Sequence, residues 1–203
     1  MLVEHRGAKP AIAASAVIAQ SAVISGDVEI GAHSVVRAGA IVVAEGAPVR
    51  IGERCVIMEH AVVRGAGRYA CNVGDHVLIG PHAHVTGATI QRCCFLATGA
   101  IVFNGAVVEE GTWVAVRGVV HIATRCPPST YIPIGHIGVG DPVAIYRPDE
   151  ALAASKAISS IGFTKAVFGF ESEGIADPNV IREICDRYTR ASHHHRHDRI
   201  VEK

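Results

Sequence analysis

The chain has 203 residues, with 19 Lys and Arg balanced by 19 Asp and Glu. The cancelled charge argues against binding driven by long-range attraction to nucleic-acid phosphates or an anionic membrane surface. Six cysteines without a CxxC pair argue against a disulfide framework and read as reduced core thiols.

In chain order, the opening MLVEHRGAKP has no long apolar core followed by a cleavage site, and no later apolar run reaches the length of a membrane span. A soluble cytoplasmic protein is expected. From Ile12 an aliphatic residue recurs every six positions, through Ile18, Ile24, Ile30, Val36 and Val42. After three inserted residues the register resumes at Ile51, Ile57 and Val63, and after four more at Val73, Ile79 and Val85. After a one-residue deletion it runs through Ile90, Leu96, Val102, Val108, Val114 and Val120, giving eighteen hexads. The fifth position of each hexad is nearly always small, as at Ala22, Ser34, Cys55, Ala83 and Thr112.

A period of six fits neither an amphipathic strand nor a helix. It fits a triangular prism of short parallel strands, in which one aliphatic side chain fills each face and a small one fits each corner. Three hexads make one coil, so a mainly β fold is expected: a left-handed parallel β-helix of about six coils with C-terminal α-helices. The hand follows from the hexapeptide signature, because β-crossovers are otherwise right-handed.

Stacked coils bring residues about eighteen apart into columns roughly 4.8 Å per step. On the third face, Val43, Arg64, Thr86, Phe103 and His121 should form one outward column. Gly39, His60, His82, Gly99 and Arg117 should form another on the second face, whereas His76 should align with Arg54 and Cys93 on the first. His82 and His84 should point to one side by period two. His60, His82 and His84 therefore read as ordinary surface or subunit-interface histidines, with a relocated metal site as the alternative. His121 and His136 read as bland.

Beyond Pro148, DEALAASKAISSIG reads as a helix ended by Gly162. Asp177 as N-cap, Pro178 at the first helical position and apolar Ile181, Ile184, Cys185 and Tyr188 signal a second. Phe163, Phe168 and Phe170 lie between the two and should anchor this appendage. Residues 1–148 are thus expected to form the β-helix domain. Residues 149–203 should form a helical appendage with a disordered histidine-rich tail, SHHHRHDRIVEK, whose His193, His194, His195 and His197 bind metal only loosely.

GDVEIGAHSVV, PVRIGERCVI, GDHVLIGPHAHVTGATI and GVGDPVAIYRPDE together resemble the γ-class carbonic anhydrase-like branch of the hexapeptide-repeat proteins. The third looks like that branch's IGHxxxLHGCxI segment and the fourth like its GxPA exit. The resemblance covers Ile12 to Pro148. It implies a homotrimer with a cleft between subunits, where three histidines hold zinc and acidify a water. At the matching positions stand Arg64, Pro81 and Thr86, none of which offers an imidazole. Val43, Ala44 and Glu45 stand for the branch's Arg-Gly-Asp. Its water-orienting glutamine is Met58, with Glu59 and His60 following.

The resemblance therefore implies a trimer without metal at that position, without a cofactor and without carbon dioxide hydration. Met58, His60, Arg64, Pro81, His82, His84 and Thr86 would line a cleft for a small anion or a partner, because guanidinium pairs with planar oxyanions. Two alternatives are an acyltransferase using acyl-CoA with His82 or His84 as general base, and a structural assembly subunit whose cleft is closed by its neighbour.

Overall fold

The computed structural model describes residues 1–170 and 178–201. Each hexad gives a strand of two to four residues followed by a turn, as at Val56–Ile57, Leu78–Ile79 and Phe95–Leu96. The strands stack into three sheets. One face carries seven strands beginning at Ala11–Ile12, the next seven beginning at Val17–Ile18, and the third ten. Two of the ten, Ala144–Tyr146 and Arg199–Val201, are antiparallel ends. The other eight are parallel, so the third face counts eight coils rather than the six expected.

The missing coils lie at the two ends of the hexad count. The register continues past Val120 to Cys126, Ile132 and Gly138. A thiol and a glycine there are not aliphatic, and Pro127 and Pro128 read as a break. Cys126 and Ile132 are nevertheless fully buried, each on the inward side of its strand. At the other end Leu2–Glu4 pairs in parallel with Val23–Ser25.

The core is the inward file predicted by the repeat. Ile24, Ile57, Val63, Ile79, Leu96 and Val120 are all fully buried, and the corner residues Ala22, Ser34, Ala40, Cys55 and Thr112 are buried beside them. Only small side chains fit there because the chain turns back within each hexad. Where a corner residue is polar, backbone carbonyls satisfy it: Ser34 Oγ donates to Gly52 O at 2.8 Å and Thr112 Oγ1 to Pro127 O at 3.2 Å. Ile12 and Ile18 are only half-buried, because the prism is open where the first coil begins.

The turns require left-handed backbone. His33, Arg54, His76 and Cys93 adopt φ of 54° to 58° along one corner. Gly39, His60, His82, Gly99 and Arg117 do the same along the next, with φ from 55° to 69°. At Gly39 the need is double, since a Cβ there would collide with the His60 ring.

After the prism, α1 (Ala151–Ile161) packs on the last two strands of the third face with Ala154 buried. It ends at Gly162, left-handed at φ 71°, as the sequence indicated. α2 (Phe163–Phe168) follows, ended by Gly169 at φ 77°, and then α3 (Pro178–Ser192). Pro178 opens α3 as expected, whereas Asp177, the expected N-cap, lies outside the described residues. Phe168 meets Tyr188 edge-on at 6.2 Å and Phe170 lies under the Arg187 guanidinium at 4.7 Å, tying α2 to α3. The side chain of Phe163 lies outside the described residues.

The histidine-rich tail is ordered where disorder was expected. His193–His197 forms a 3-10 turn and Arg199–Val201 pairs antiparallel with Leu2–Glu4. Burial of His5 and its contact with Asp198 hold it down, and nothing in local composition announces a partner 193 residues away.

Candidate functional site

Arg64 and Thr86 are Cα partners on adjacent coils of the third face, flanked by Val43 on the coil before. Val102 pairs with Val85 and Val120 in register, which places Phe103 after Thr86 and His121 after Phe103. The Phe103 and His121 rings lie 5.0 Å apart. The outward column is therefore the one the six-residue count implied.

The insertions in the hexad count build the rim of the site. The first carries Glu45 and Gly46, and the second carries Ala66 and Gly67; both bulge at the corner between the third and first faces. With Arg64, Thr86 and Asn104 below, and Phe168, Arg187 and Tyr188 above from α2 and α3, they enclose a cavity of roughly 420 Å³. Three arginines, Arg6, Arg64 and Arg187, and one glutamate, Glu45, line that cavity.

Glu45 sits 3.5 Å from an Arg64 terminal nitrogen, and its other oxygen lies 2.5 Å from His195 Nε2. The Arg64 Nε is buried without a hydrogen-bond acceptor. An unpaired buried donor costs about 1–3 kcal/mol, more for a charged group, while the rest of the Arg64 side chain is 28% exposed. Arg187 is more fully engaged: it pairs with Glu183 at 2.5 Å and donates to Phe168 O at 3.1 Å.

His84 Nε2 and Thr86 Oγ1 are 2.7 Å apart. Burial, and then the Arg64 charge, lower the pKa of His84. Its imidazole is therefore neutral at pH 7 and available to exchange a hydrogen bond with the hydroxyl.

Other candidates lie elsewhere. His60 and His82 stack at 5.2 Å with nearly parallel rings on their corner. His82 and His84 do not share a side as expected, because the left-handed residue at His82 turns the chain through a corner before the strand His84–Thr86 begins. Among the described residues, His60, His82 and His84 form no group with ligand atoms at metal-binding distance.

Met58 and Pro81 belong to the second face, where they join Phe95, Trp113, Tyr131 and Ile134 in an apolar depression. Trp113, Tyr131 and Ile134 are each more than half exposed there. Arg64, Pro81 and Thr86 do not fit a cation: one is itself cationic, one has no donor side-chain atom and one is a hydroxyl already facing His84.

Sequence reasoning missed Arg6, Asn104 and Arg187 as lining residues. Asn104 follows Phe103 into the corner and was findable from the column. Arg6 and Arg187 arrive from outside the repeat, so no periodicity locates them.

No protein-family model matches the chain. It is 31% identical to the mitochondrial γ carbonic anhydrase 1 of Arabidopsis thaliana over 152 residues, covering 71% of this chain and 53% of that protein. It is 27% identical to a carbonic anhydrase of Geobacillus kaustophilus over 111 residues, covering 55% and 61%. The chain thus spans between about half and three fifths of the length of these curated relatives. A candidate acetyltransferase of Bacillus cereus superposes with a TM-score of 0.55 at 21% identity, covering 77% of this chain and 92% of that one. At that identity the likeness speaks to fold: this is a hexapeptide-repeat, left-handed β-helix, and its curated relatives carry the γ carbonic anhydrase name.

Proposed function

We propose that the protein binds a small anion of the carboxylate class in the Arg64 cavity and does not perform zinc-dependent hydration at Arg64, Pro81 and Thr86. The observation that carries this reading is the partly exposed Arg64 side chain in a cavity that three arginines share with one glutamate. A planar carboxylate takes two parallel hydrogen bonds from a guanidinium, which a spherical halide cannot. Thr86, Asn104 and Tyr188 supply polar neighbours for the rest of the ligand.

The same reading includes a homotrimer, as the resemblance implies. The apolar depression of the second face, with Trp113 and Tyr131 exposed, supplies the contact surface. The roof over Arg64 comes from α2 and α3 of the same chain.

Calorimetric titration with acetate, bicarbonate, succinate and phosphate tests the proposal. A carboxylate should bind, and Arg64→Gln should weaken it at least tenfold, about 1.4 kcal/mol. Equal binding by the variant, or zinc-dependent hydration of carbon dioxide abolished by substituting Thr86, overturns it.

A second reading is acyl transfer, favoured by His84, whose neutral imidazole beside a hydroxyl has the character of a general base. Turnover of acetyl-CoA lost in His84→Ala would support that reading instead.

A further inference from the structure

We propose that His5, His195 and Asp198 form a site for a divalent cation of the zinc and cobalt class, built where the two ends of the chain meet. His5 follows the first strand, Leu2–Glu4, and is only 4% exposed. His195 and Asp198 are three residues apart on the turn before Arg199–Val201, the strand that pairs with Leu2–Glu4. In a 3-10 turn, side chains three apart eclipse, so both reach the same side.

The donor atoms converge. His5 Nδ1 lies 2.6 Å from one oxygen of Asp198 and His195 Nδ1 lies 2.8 Å from the other. The two imidazoles stack at 4.6 Å with 26° between planes, each with its Nδ1 on the Asp198 carboxylate. The three donor atoms lie within 4.8 Å of one another, and this is the only such group among the described residues. Ligands about 2.1 Å from a tetrahedral ion stand roughly 3.4 Å apart, by simple geometry from those bond lengths. From 2.6 and 2.8 Å, the cluster opens by roughly 0.6–0.8 Å to admit one.

One further feature suits a cation. His195 Nε2 faces Glu45 at 2.5 Å, the outer carboxylate that orients a metal-binding imidazole and raises its basicity. In the metal-free chain the His5 Nδ1–H donates to Asp198, so an entering ion takes the place of that proton. Two imidazoles with carboxylate oxygen suit zinc or cobalt, whereas magnesium and calcium prefer oxygen alone. Three protein ligands leave a fourth position for water. The site is distinct from Arg64, Pro81 and Thr86, and its existence does not depend on the anion reading.

The full chain is dialysed against Zn²⁺ and analysed for metal, and separately titrated with Co²⁺ while its visible absorption is followed. One ion per chain with a tetrahedral cobalt spectrum is expected. The triple variant H193A/H194A/H197A, which removes the neighbouring tail imidazoles, should keep both. Asp198→Asn, nearly isosteric and checked for folding by circular dichroism, should weaken binding at least tenfold, and His5→Ala should do the same. Arg64→Gln should leave the ion in place, which separates this site from the anion cavity. The proposal is overturned if the wild-type chain takes up no stoichiometric ion, if Asp198→Asn folds and binds as tightly as wild type, or if the triple variant loses the ion.

Discussion

His84 Nε2 lies 2.7 Å from Thr86 Oγ1, two residues along the same strand, and Arg64 is the register partner of that threonine on the next coil. The neutral imidazole thus sits close to a permanent positive charge. Protonating His84 places a second cation beside the first.

Acid should therefore destabilise the fold. Burial and Arg64 lower the pKa of His84, and burial lowers that of His121. A histidine depressed in the folded state binds its proton more readily when unfolded. Its stabilising contribution is present above about pH 6.5, the ordinary histidine value, and is lost as pH falls through the folded value. Urea midpoints should drop between pH 7.5 and 5, and His84→Gln should show a smaller drop than wild type. An identical pH profile for the variant removes His84 as a cause.

Core truncation should cost more in the middle of the prism than at its open end. Leu96 is fully buried between two coils, so Leu96→Ala should cost about 2–5 kcal/mol. Ile12 is half-buried on the first coil, and Ile12→Ala should cost less than half as much. Denaturant melts of the two variants compare them directly.

Removing the chain after Gly162 should weaken anion binding about tenfold, ~1.4 kcal/mol. The deletion takes Arg187 and Tyr188 from the cavity and the strand Arg199–Val201 from Leu2–Glu4. A lower melting temperature should accompany it. Unchanged affinity by calorimetry would show that the roof contributes no ligand contacts.

Thiol chemistry should divide the six cysteines. Cys93 and Cys185 are exposed, whereas Cys55, Cys71, Cys94 and Cys126 are buried. Burial pushes Cys71 and Cys126 up to about 12, so neither forms thiolate at pH 8. A disulfide reagent should modify two thiols promptly in the native protein and six after denaturation. Prompt reaction of four or more would contradict the packing of the prism.

The prism was legible in the sequence because its period is short and strict. Ile24, Ile57 and Leu96 could be assigned inward, and Arg64 and Thr86 could be set side by side, from counting alone. The count stopped short where Cys126 and Gly138 hold inward positions without aliphatic side chains. The stacking of His60 on His82 was readable from column position, but the separation of His82 from His84 was not, since it depends on a left-handed residue at a corner. Contacts between chain ends leave no local trace: His5 and Asp198 approach only because two strands 195 residues apart, such as those holding Glu4 and Arg199, pair edge to edge.

That pairing has a consequence for self-association. A stack of identical parallel rungs invites another molecule to continue it, since its last rung carries a row of unmet amide and carbonyl groups. On the third face both extremities run against the grain: Arg199–Val201 lies antiparallel on Leu2–Glu4, and Ala144–Tyr146 lies antiparallel on Ile137–Val139. Each terminal ribbon is three residues long, too short to template a neighbour well. Stripping the last residues would bare the first rung and favour end-to-end growth into filaments.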